Sequence, residues 1–247
     1  MTKLYDFIVT TKNYEKRKRT KKHIKFVIIH YTGMQSGVGA IKKLSSKTSK
    51  VSCHYLINEK GKVFKMVAEK FIAWHSGKSQ WKNFKSLNKF SIGIELVNPG
   101  HEFGYKNFKK IQILSLIKIL KYLIKKYKIS KYNILGHSDI SPFRKKDPGE
   151  KFPWKFLYKY KIGFWHNLSQ KNLILQRNKR ISIKDKKFFF NLLSKIGYKI
   201  NIKEKNNHKN ITVAFQRRFR PESVSGLIDA ECLLIAKKLN YQAKNKP

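Results

Sequence analysis

The sequence predicts an α/β fold: a mixed central sheet flanked by helices, with a small three-helix domain at its C-terminal end. Three observations carry this. Short runs rich in β-branched residues at 26–31, 91–97 and 133–135 have the length and composition of buried strands. One long stretch, 108–127, places Ile113, Leu116, Ile117, Leu120, Leu123 and Ile124 at helical spacing with lysines between them. Strands alternating with such a helix build a layered sheet-and-helix unit. Beyond residue 180 only helical patterns follow, at 184–196, 211–219 and 229–239.

Taken in order, residues 1–24 are polar and basic and read as a surface extension. Residues 25–165 read as one catalytic-sized domain. Within it, 26–31 is a strand and 40–47 a short helix. The segments 52–57 and 62–66 flank NEKG, which predicts a hairpin. The strand 91–97, the long helix and the short strand 133–135 then lead into a loop. Residues 166–180 are read as a linker, and 181–247 as the helical domain. No internal repeat is evident.

Composition narrows the function classes. No apolar stretch is long enough to span a bilayer, and the most apolar one carries Lys118, Lys121, Lys125 and Lys126. The first residues show no sustained apolar region ahead of a small-residue cleavage site. They carry no lipid-attachment cysteine either, which predicts a cytoplasmic protein. Cys53 and Cys232 are too few and too far apart for a disulfide scaffold. Lys+Arg 56 against Asp+Glu 14 gives a net charge of +42. A basic surface attracts nucleic acid or anionic polymers. Here the lysines run through every segment, alongside abundant Asn, Ile, Phe and Tyr, as AT-rich coding would produce. No specific nucleic-acid partner is therefore expected. The chain is expected to be a monomer.

The chemistry gathers in GHSDISPFRKKDPG, residues 136–149, which holds His137, Lys145 and Asp147 in one loop. A second apolar strand, KFVIIHYTG, runs into His30. Two histidines and an aspartate make a three-ligand set that leaves a zinc ion one open position. Taken alone, Asp147 ahead of Pro148–Gly149 is equally a turn former. Glu95 is a carboxylate in the otherwise apolar SIGIEL, costly there unless it lies at an edge or is used.

Five segments in order carry a resemblance: VIIHYT, SCHYLI, AWHSG, SIGIEL and the 136–149 loop. Together they resemble the zinc-dependent N-acetylmuramoyl-L-alanine amidases of the bacteriophage-lysozyme and peptidoglycan-recognition superfamily. AFQRRFRP followed by SGLIDAE resembles the peptidoglycan-binding-like helical domain appended in a lipoprotein member. The resemblance implies zinc held by His30, His137 and Asp147. It implies Glu95 as general base and then acid, and Lys145 as the partner of the developing oxyanion. It implies peptidoglycan or muropeptides as the substrate. Trp74 and His75 resemble a segment edging the substrate groove, where an aromatic face stacks on sugar or peptide. His54 lines the cleft or is a core histidine, and Arg144 holds a substrate carboxylate or is surface charge. The implied activity is hydrolysis of the bond between N-acetylmuramic acid and L-alanine in cell-wall turnover or recycling. A non-catalytic peptidoglycan-binding protein on the same scaffold is the alternative. The lipoprotein likeness offers a periplasmic or outer-membrane location as the alternative compartment.

Overall fold

A computed structural model describes residues 4–200 and 207–244. The elements in order are β1 (Phe7–Ile8), β2 (Tyr14–Glu15), β3 (Phe26–Tyr31), α1 (Gly37–Ser45), β4 (Tyr55–Ile57), β5 (Val63–Lys65), β6 (Ile72–Ala73), β7 (Gln80–Trp81), β8 (Phe84–Lys85) and β9 (Ser91–Leu96). Then come α2 (Lys110–Tyr127), β10 (Ile134–Gly136), α3 (His137–Ile140), α4 (Trp154–Lys159), α5 (Gln170–Gln176), α6 (Ile183–Ile196), α7 (Asn207–Phe219) and α8 (Ala230–Lys244).

Six strands form the main sheet in the order β1-β5-β4-β9-β3-β10. Only the β4–β5 hairpin is antiparallel; the other neighbours run parallel. The sheet is therefore mixed, as its segments predict. Alternation along β9 sends Ile92, Ile94 and Leu96 to one face and Ser91, Gly93 and Glu95 to the other. The periodic residues of α2, Ile113, Leu116, Ile117, Leu120 and Leu123, are buried in the same apolar cluster as that first set. At roughly 1.5–3 kcal/mol for each large apolar side chain fully removed from water, this seam is a main source of the domain's stability. Left-handed Lys128 (φ 52°) ends α2.

Two expectations are corrected. Residues 4–24 are not a surface extension. β1 pairs with β5 and β2 with β6, and Thr11, Asn13 and Arg19 are buried. Arg19 donates to the Glu69 and Asn88 carbonyls at 3.0 Å each. Short pieces of two residues leave no periodicity for a sequence to show, and Arg19 looks like one more member of a charge run. Residues 166–180 are not a simple linker either. They hold α5, capped by Ser169 and anchored by buried Leu173.

The C-terminal helices share one continuous apolar cluster with the sheet. Tyr198 meets Trp81 edge-on at 4.9 Å. Arg218 of α7 pairs with Asp139 of α3. Among the described residues no helix is long and apolar enough to cross a membrane.

Candidate active site

Strand register builds the site. His30 on β3 lies opposite Glu95 on β9, and Ile29 lies opposite Gly136 on β10. The residue after Gly136 is His137, so His137, His30 and Glu95 stand side by side at the C-terminal ends of three adjacent parallel strands. Ligand clefts of open α/β sheets form at that edge. The loop leaving α3 then folds back, with Ser138 N donating to Asp147 O at 2.8 Å, and brings the Asp147 carboxylate over both histidines.

The three groups converge. His30 Nδ1 lies 2.9 Å from His137 Nδ1 and 2.9 Å from Asp147 Oδ2. His137 Nδ1 is 3.1 Å from the same oxygen. All three residues are buried, and their donor atoms lie within 4.8 Å of one another. His137 Nε2 is 3.1 Å from the Ser76 carbonyl, which only accepts. A ring proton of His137 therefore sits on Nε2, and its Nδ1 points inward at the other two groups.

The charges agree with that geometry. Burial, reinforced by His137, pulls His30 down to about 4, so its imidazole is neutral near pH 7. Burial opposes ionisation of Asp147, but His137 and His30 outweigh it and hold the carboxyl well below its ordinary range. His30 Nδ1, His137 Nδ1 and Asp147 Oδ2 thus face a common point. That donor set suits a borderline divalent cation.

Glu95 differs from Asp147. Burial pushes it up to about 8, Asp147 adds to the rise, and Lys145 opposes it. The residue is only half-buried, because one side opens on the cleft. Its Oε2 is nevertheless covered and has no hydrogen-bond partner among the described residues. A buried carboxylate oxygen without a partner is expensive unless something that binds there supplies one. The cleft above it has a volume of about 490 Å³, and Lys145, Trp74 and His101 are among its walls.

The family profile described as N-acetylmuramoyl-L-alanine amidase matches residues 20–150, just over half of the chain. The chain belongs to this amidase family. It is 35% identical over 230 residues to the Escherichia coli N-acetylmuramoyl-L-alanine amidase AmiD, covering 87% of this chain and 82% of that one. Among solved structures it is similar to E. coli AmiD in complex with anhydro-N-acetylmuramic acid-L-Ala-D-gamma-Glu-L-Lys. The TM-score there is 0.80 and the identity 31%, with 94% of each chain covered. It is also similar to AmpDH3 from Pseudomonas aeruginosa in complex with anhydromuramic pentapeptide. That match has a TM-score of 0.78 and 30% identity, covering 94% of this chain and 97% of that one.

Within this amidase fold, most of the residues singled out by sequence meet at one cleft. Lys145 is half-buried on its wall, and Trp74 is half-exposed at its rim. Arg144 is exposed. It donates to the Ser76 carbonyl at 2.9 Å and closes over His137 Nε2 at 3.4 Å. His75 is 8% exposed, lines the inner part of the cleft, and holds its Nδ1 3.0 Å from His30 Nε2. His54 does not reach the cleft and is the core histidine of its two readings. It is fully buried, its Nδ1 accepts from Gly93 N at 3.0 Å, and its Nε2 lies 2.8 Å from Arg19. Arg19 comes from the segment read as an extension, which is why this cover was invisible in sequence.

Sequence reasoning missed the opposite wall. Tyr31 OH lies 2.9 Å from His101 Nδ1, and His101 Nε2 lies 3.1 Å from Glu150. Tyr31 follows His30 directly in KFVIIHYTG, and that adjacency was the available signal.

Proposed function

We propose that this protein is a zinc-dependent N-acetylmuramoyl-L-alanine amidase. It hydrolyses the amide between the lactyl carbonyl of N-acetylmuramic acid and L-alanine in muropeptides or peptidoglycan. The observation that carries this is the convergence of His30 Nδ1, His137 Nδ1 and Asp147 Oδ2 beside an unpartnered Glu95 oxygen. Zinc held by those three atoms would polarise the amide carbonyl and lower the pKa of water in its open position.

The protein's own groups carry the rest. Glu95 takes a proton from the attacking water and returns it to the departing amine. Lys145 faces the cleft and stabilises the negative charge that develops on the carbonyl oxygen. Trp74 offers a ring face at the rim for sugar or peptide. Arg144 provides a cation for a carboxylate of the peptide stem.

The solved relatives hold anhydromuramoyl peptides, which supports soluble fragments of this kind as substrates in wall turnover or recycling. Mass spectrometry of the products from defined muropeptides, with and without the 1,6-anhydro end, tests this. Release of free peptide stem plus the intact sugar, abolished by a chelator and restored by zinc, is the expected result. Cleavage within the peptide, or activity indifferent to chelation, overturns it.

A further inference from the structure

We infer that Ser91 and His75 are positioning residues that fix the proton of His30 on Nε2 and so keep its Nδ1 free to bind a metal ion. The inference rests on the metal set proposed above.

The chain of hydrogen bonds can run in two directions, and one of them satisfies the Leu87 carbonyl. It starts at the Leu87 carbonyl, which can only accept. Ser91 Oγ lies 2.6 Å from it and donates its single proton there. Ser91 Oγ is then an acceptor for His75 Nε2, 3.2 Å away. A neutral imidazole has one ring proton. With that proton on Nε2, His75 Nδ1 is bare and accepts from His30 Nε2 at 3.0 Å. His30 then carries its own proton on Nε2 and presents a bare Nδ1 to His137 and Asp147.

The opposite chain is the competitor. In it His30 Nδ1–H donates to Asp147 Oδ2, and Ser91 turns its proton towards His75. That state abandons the short bond to the Leu87 carbonyl and blocks the donor atom. Ser91 is fully buried and His30 almost so, so water does not make up a lost bond.

The surroundings hold His75 in this role. Its backbone N–H donates to Asn88 Oδ1 at 3.0 Å. Its ring lies flat against Gly93, where a Cβ would come within 2.4 Å of His75 Cγ. Gly93 and Ser91 share the β9 face that carries Glu95, so the strand provides both the space and the acceptor.

Four proteins test this: the parent, Ser91→Ala, His75→Phe and His75→Gln. In the zinc-free state, nitrogen NMR of histidine-labelled protein reads the tautomer of His30 directly. Competition with a chromophoric chelator reads zinc affinity, and thermal unfolding of the zinc-free proteins reads the fold. The expected parent tautomer is Nε2–H. Ser91→Ala should shift His30 towards a mixture, and both it and His75→Phe should lose zinc affinity by about 10–100-fold, as partners of metal ligands usually do. His75→Gln, which can still accept and donate, should recover part of the loss. Ser91→Ala removes a single oxygen, so it carries the test if His75→Phe fails to fold. A parent with His30 protonated on Nδ1 overturns the inference. So does a folded Ser91→Ala with parental zinc affinity. A parent that binds no zinc instead overturns the metal assignment beneath it.

Discussion

Replacing Arg218 with leucine is expected to destabilise the whole protein, including the loop that carries His137. Arg218 and Asp139 are 3% and 1% exposed and pair across the junction between α7 and α3. Arg218 Nη2 also donates to the Ile134 carbonyl at 2.9 Å, and its guanidinium lies over Trp154 at 4.3 Å. Asp139 further accepts from Gly136 N at 2.8 Å and Tyr198 OH at 2.6 Å. Without Arg218 an ionised carboxylate is left in the core with neutral donors alone. Removing one partner of a buried pair costs about 3–5 kcal/mol. At roughly 2–4 °C per kcal/mol for a chain of this size, Tm should fall by roughly 10 °C. Asp139→Asn in the Arg218→Leu background removes the stranded charge and should recover much of the loss. Urea and thermal unfolding of the four proteins close the cycle. A loss below about 1 kcal/mol, far short of a buried-pair cost, or a double variant no better than Arg218→Leu, refutes the reasoning. Division of the chain into separable modules would leave a protein ending near Asn178 active. The structure gives the opposite expectation, because that truncation removes Arg218 and Tyr198 together from a network two residues past His137.

Other expectations follow from the site. The purified protein should hold about one zinc per chain by elemental analysis, since one open three-ligand set is present, and His137→Ala should abolish both metal and turnover. Glu95→Gln should keep its zinc while turnover of a defined muropeptide falls by roughly 10²–10⁴-fold; a parental rate would place the base elsewhere. Lys145→Ala should likewise spare the metal and slow the chemical step, visible as a fall in kcat at constant zinc content. In the zinc-free protein Glu95 binds its proton up to about 8, against an ordinary value of 4.5. The folded state thus holds more protons than the unfolded one in that window, so Glu95 makes stability fall as pH rises through it. His30, lowered from 6.5 to about 4, acts in the opposite sense over its own window. The Tm advantage of Glu95→Gln over the parent should therefore widen up to about pH 8 and then level off; parallel curves would contradict the raised pKa.

What the sequence disclosed of the fold followed the length of each signal. The residues of α2 repeat the helical period over five turns, and β3 and β9 are runs of six, so each element stands out from its surroundings. β1, β2 and β6 to β8 are two residues each and exist only through their partners. β1 and β2 draw their pairing from residues some sixty positions away, as in Phe7 opposite Phe64 and Tyr14 opposite Ala73. No local pattern records that. The same limit misplaced Arg19. Its neighbours Lys16, Arg17 and Lys18 are a solvated run, and only its hydrogen bonds to Glu69 and Asn88 distinguish it.

The site divides along the same line. His30, His137, Asp147, Glu95 and Lys145 lie in three short segments whose residue types are costly to place in a core, so each draws attention where it stands. The groups that aim them do not. Ser91 and Gly93 look like fillers in SIGIEL, and Ser76 acts through its carbonyl, which any residue would supply. One signal was available. SIGIEL alternates between a small or polar set and a wholly apolar set. A buried strand with helix on one side and only Ser, Gly and Glu on the other must receive bulk from elsewhere on that second face, because interiors are close-packed. In this chain the bulk is the His75 ring, and the serine and glycine that admit it are what connect His30 to the Leu87 carbonyl.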